Sequence, residues 1–94
     1  MINMKIIQSP LFYRTVKKFK KNEKKNLDNQ IKRIVENPNI GVQKSGALKE
    51  IFVHKFKVKT LQYLLAYRKN REQIELIMIG PHENYYRDLQ KYLD

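Results

Sequence analysis

The chain has 94 residues, with 20 lysines and arginines against nine acidic residues, a net charge of +11 and no cysteine. That length predicts one domain, residues 1–94, with a modest core. The missing cysteines exclude disulfides, thiolate metal sites and cysteine nucleophiles. No secretory h-region and no apolar run near 20 residues is present, so the reading expects a cytoplasmic protein with neither export nor membrane insertion. Such an excess of cations repels itself and suits a polyanionic or acidic partner. Nucleic acid comes first, because neutralised phosphates release counterions. An acidic protein comes second.

Met4 to Gln8 is short and β-branched and predicts a strand. Ser9-Pro10 then starts a helix, serine as N-cap and proline in the first turn. Phe12, Val16 and Phe19 follow the i, i+4, i+7 spacing of one helical face. A turn near Asn22 leads to a second helix on Leu27, Ile31 and Ile34, with Val35 widening the stripe. Asn37-Pro38 ends it, because the residue before proline disfavours helix. Nine basic residues crowd this hairpin (Arg14, Lys17, Lys18, Lys20, Lys21, Lys24, Lys25, Lys32, Arg33), against Glu23 and Asp28. They are a solvated outer face or a docking surface for phosphates.

Asn39 to Ala47 lacks periodicity and reads as a loop carrying Lys44, with Lys49 just beyond it. Three strands are expected next, at Leu48 to Val58, Leu61 to Lys69 and Gln73 to Ile79. Lys59-Thr60 and Asn70-Arg71-Glu72 connect them as hairpins. Tyr85, Leu89 and Tyr92 predict a short helix within Glu83 to Leu93. The order β-α-α-β-β-β-α predicts an α+β fold. Its helical hairpin covers one face of a curved, four-stranded, antiparallel-rich sheet.

Alternation places Phe52, His54, Phe56 and Val58 on one face of their strand and Lys55 and Lys57 on the other. In the next strand Tyr63, Leu65 and Tyr67 oppose Gln62, Leu64 and Arg68. The aromatic faces should meet the helices, which puts His54 in the core. The opposite face should stay open as a shallow cationic groove. His82, after the Gly80-Pro81 stop, falls at its rim. A titratable imidazole beside fixed cations suits cleavage of RNA by its own 2′-hydroxyl. That reaction needs a base, an acid for the leaving 5′-oxygen and positive charge on the phosphorane.

Two patterns carry a resemblance. His54-Lys55-Phe56-Lys57-Val58 with Gln62-Tyr63-Leu64-Leu65-Ala66-Tyr67 looks like the central hairpin of RelE, and Gly80-Pro81-His82-Glu83-Asn84-Tyr85-Tyr86 is similar to the ending of the YafQ-like branch. Over nearly its whole length the chain resembles the RelE/ParE superfamily of toxins from bacterial type II toxin-antitoxin modules. The resemblance implies a metal-independent, ribosome-dependent mRNA endoribonuclease with no cofactor, held in check by an acidic or amphipathic antitoxin. It implies catalytic roles for Lys55 and Lys57 at the 2′-hydroxyl and phosphate, for His82 at the leaving oxygen or the phosphate, and for Tyr86 in stacking on or orienting the substrate. Arg68, Arg87, Lys44, Lys49 and Gln62 are the expected substrate-binding residues. Leu64 departs from the pattern, since RelE carries an arginine there. A ParE-like gyrase inhibitor, which needs no histidine, and a non-catalytic RNA- or ribosome-binding module are the alternatives. Oligomeric state is left open.

Overall fold

A computed structural model describes residues 4–94. The elements are β1 (Lys5–Gln8), α1 (Pro10–Lys17), α2 (Lys21–Glu36), β2 (Val42–Gln43), β3 (Phe52–Val58), β4 (Leu61–Lys69), β5 (Gln73–Pro81) and α3 (Tyr85–Leu93), with a 3-10 turn at Gly46–Leu48. The strands form one sheet in the order β1-β5-β4-β3-β2. Only β1 and β5 are parallel; the other neighbours are antiparallel. The α+β architecture and the element order agree with the sequence reading.

The sheet has five strands rather than four. The extra one, β2, lies in the segment expected to be a loop, and two residues are too few to show alternation. Its position comes from tertiary contacts. The Tyr67 hydroxyl accepts from the Gly41 amide at 3.0 Å and donates to the Pro38 carbonyl at 2.7 Å. A Cβ on Gly41 would stand 2.8 Å from that oxygen, so the close approach requires glycine. β3 also starts later than expected, because Leu48, Lys49 and Ile51 spend their amides on turn carbonyls.

Ser9 couples the first helix to the sheet. Its hydroxyl accepts from the Phe12 amide at 3.0 Å, as an N-cap should, and donates to the Ile77 carbonyl. Ile77 is the additional residue of a bulge: Ala66 pairs with Met78 while Tyr67 pairs with Leu76. Ser9→Ala therefore loses a cap and orphans a buried carbonyl. We expect a cost of about 2 kcal/mol. Urea unfolding reads it directly, and a midpoint matching the parent would contradict the coupling.

α1 rests on β5 and α2 on β3. The core on this face joins Phe12, Leu27 and Ile34 from the helices to Phe56, Leu65, Tyr67 and Leu76 from the sheet. An open groove of about 460 Å3 runs between the two helices. The other face is not fully open, contrary to expectation. Tyr85 and Leu89 of α3 pack there on Val53, Leu64, Ala66, Ile77 and Met78. The bulge makes this possible by presenting Ile77 and Met78 consecutively to the same side.

Candidate active site

Strand register assembles the site. Lys55, Leu64 and Gly80 form one rung across β3, β4 and β5. Lys57 and Gln62 begin the next, about 7 Å along the strands. Directly opposed residues share a face. Both lysines are exposed and Gln62 is half-buried, while Leu64 is sealed beneath α3. The uncovered part of the second face is therefore a strip holding Lys55, Lys57 and Gln62.

His82 follows β5 directly and is exposed. The chain reverses there: the His82 carbonyl accepts from the Tyr85 amide at 3.3 Å, and Asn84 takes the left-handed φ of 58°. Asparagine tolerates that conformation better than most residues. The turn swings α3 back over the sheet. Tyr85 is buried, its hydroxyl donating to the Met78 carbonyl at 2.6 Å, and burial pushes its phenol up. Tyr86 meets Tyr85 edge-on, with ring centroids 5.6 Å apart, and stays half-exposed. Its ring also carries the Lys44 ammonium 4.9 Å from the centroid. The sequence pointed to both Lys44 and Tyr86 but not to their contact, which arises only because β2 extends the sheet edge toward α3.

Arg87, in the first turn of α3, is exposed and lies 3.5 Å from Asp88. Arg68 and Lys49 are elsewhere. Arg68 sits four residues beyond Leu64, about 13 Å along β4, and pairs with Glu75 at 3.2 Å. With Lys49, Gln90 and Asp94 it lines a separate cleft of about 270 Å3 at the far end of α3. The structure thus puts Lys55, Lys57 and Gln62 on the strip, His82 just beyond the end of β5 and Lys44 against Tyr86 of α3, while Arg87, two residues after the buried Tyr85, projects into solvent. It leaves Arg68 and Lys49 apart.

His54 is buried on the helical side, as alternation requires, with Nε2 2.7 Å from Gln30 Oε1. Burial, and then the charge of Arg33, hold its imidazole below the ordinary value of 6.5. The unfolded chain takes up this proton near 6.5 and the folded chain resists it. Stability should therefore be complete above 6.5 and fall as pH drops below it. Denaturant midpoints at pH 7.5 and 5.0 test this, and His54→Leu should shrink the difference. An unchanged difference would reject the assignment.

Among the described residues no cluster of three His, Cys, Asp or Glu side chains is placed to hold a metal ion. The strip offers cations for anionic oxygens, and the segment after β5 carries the exposed His82 and the half-exposed Tyr86. No helix of the described residues is long and apolar enough to cross a membrane.

Comparison with known proteins agrees with this architecture. The isolated toxin RelE of E. coli, as a double arginine-to-alanine mutant in the free state, superposes with a TM-score of 0.73 at 17% identity, covering all of both chains. A chain of the intact E. coli RelBE toxin-antitoxin complex gives 0.66 at 19%, covering 83% of this chain and 95% of that one. At such identities the likeness shows the fold. No curated protein matches by sequence comparison. The model of the ParE-like toxins of type II bacterial toxin-antitoxin systems matches residues 6–90. With that match spanning nearly the whole chain, and with the sheet and helices arranged as in RelE, the chain belongs to the ParE-like toxin family of type II toxin-antitoxin systems.

Proposed function

We propose that this toxin is a metal-independent, ribosome-dependent mRNA endoribonuclease. The observation that carries the reading is the uncovered strip: Lys55 and Lys57 of β3 stand exposed on adjacent rungs, on the face that α3 leaves free, and His82 leaves β5, one strand beyond β4, also exposed. In this reading the 2′-hydroxyl attacks the adjacent phosphorus and the bond to the 5′-oxygen breaks, leaving a cyclic phosphate and a 5′-hydroxyl. Lys55 and Lys57 balance charge on the phosphorane. His82 exchanges a proton with the reacting oxygens, and Tyr86 stacks on an unpaired base. The buried, hydrogen-bonded His54 takes no part.

The partner in this reading is an acidic or amphipathic antitoxin, as the RelBE toxin-antitoxin complex suggests by analogy. The groove between α1 and α2 suits such a segment. Its floor includes Phe12, Val16, Leu27 and Ile31, and Lys17 and Lys24 stand on its rim.

Primer extension on mRNA after induced expression tests the activity. New 5′ ends inside translated messages, and relief of growth arrest by the acidic protein encoded alongside, are expected. Inhibited gyrase supercoiling without new ends would select the gyrase-inhibitor alternative. Ribosome binding with neither effect would leave a binding module.

A further inference from the structure

Tyr86, in the first turn of α3, is half-exposed, yet its ring face is not free. Lys44 occupies it. This lysine continues β2 by one residue, with its amide bonded to the Ile51 carbonyl at 2.8 Å. Alternation from the Val42–Val53 pair turns its side chain to the α3 face. There its ammonium stands 4.9 Å from the Tyr86 centroid. The ring also meets Tyr85 edge-on, and Tyr85 is itself tied to Met78. Among the described residues the ion pairs are Arg68–Glu75 and Arg87–Asp88, so no carboxylate claims Lys44. A half-exposed cation–π contact is weak and readily exchanged.

An unpaired base needs the same ring face. Its neighbouring phosphate offers an ammonium a stronger partner than a ring does. We propose that Lys44 caps Tyr86 in the free chain and is displaced by an unpaired RNA base, its ammonium passing to the adjacent phosphate. Lys44 is then a positioning residue that becomes a phosphate contact. This rests on the ribonuclease reading of the same face.

The experiment uses the full chain and a single-stranded oligoribonucleotide whose reactive 2′-hydroxyl is methylated. In the free chain the Lys44 ε-methylene protons should be shifted upfield by the ring, and Tyr86→Leu should abolish the shift. Saturating RNA should also remove it in the parent chain. Lys44→Met should reduce the slope of log affinity against log salt by about 0.7, one single-strand phosphate contact, and Lys44→Arg should restore it. Tyr86→Leu should weaken binding on the order of tenfold with the slope unchanged. A ring shift that persists in saturated complex overturns the exchange, and so does an unaltered slope in Lys44→Met. Both leave the ribonuclease reading standing. No saturable binding by the parent chain overturns the exchange as well, and leaves the ribosome-dependent reading to the primer-extension test.

Discussion

Replacing His82 with alanine should lower mRNA cleavage on the order of a hundred- to ten-thousand-fold, the range lost when a proton-transfer group is removed. The fold should survive. The imidazole is exposed, and the hydrogen bond that shapes its turn uses the His82 carbonyl, which alanine keeps. Surface substitutions of this kind stay within about 0.5 kcal/mol. Growth arrest and primer-extended ends should therefore disappear while the unfolding midpoint is preserved. The double change Lys55→Ala, Lys57→Ala should act alike through lost charge on the phosphorane, with both side chains leaving open solvent rather than a core. Arrest at the parent level in either stable variant would reject the ribonuclease reading.

The second large effect lies under α3. Leu64 is fully buried among Val53, Ala66, Ile77, Tyr85 and Leu89. Leu64→Ala should cost about 2–5 kcal/mol, much of the 5–15 kcal/mol available to a small domain. Leu64→Arg, which imitates the RelE pattern, should cost more, because a guanidinium there is either buried without a carboxylate or forces α3 off the sheet. Urea titration measures both, and limited proteolysis should show the α3 segment cut first. A Leu64→Arg chain as stable and protease-resistant as the parent would mean that α3 lifts from the face at little cost. The position that carries an arginine in RelE is here occupied by packing under α3.

Much of this molecule was legible in the sequence. The spacing of Phe12 and Val16, the Leu27–Ile34 stripe, and the alternation of β3 and β4 are local and repeat over enough residues to identify element and face. Ser9-Pro10 and Asn37-Pro38 mark helix ends by backbone chemistry that needs no partner. From these follow the helical layer, the buried side of His54 and the shared face of Lys55 and Lys57. The excess of cations was also explicit, although it suits RNA and an acidic antitoxin equally.

Tertiary structure alone decided the rest. β2 is too short to have a pattern, and it exists because Tyr67 reaches Gly41 and Pro38 across the fold. The bulge at Ile77 shifts the phase of β5, and no local signal distinguishes it from an uninterrupted apolar strand. That phase shift gives α3 its seat. The seat turns an expected open groove into a narrow strip, and Arg68 and Lys49 of the same expected set line a cleft at the far end of α3, away from His82. Side-chain period is a property of neighbouring residues, whereas coverage of a face depends on which distant apolar surface finds it. The sequence therefore assigned the cations of this face, and packing determined how much of it faces solvent.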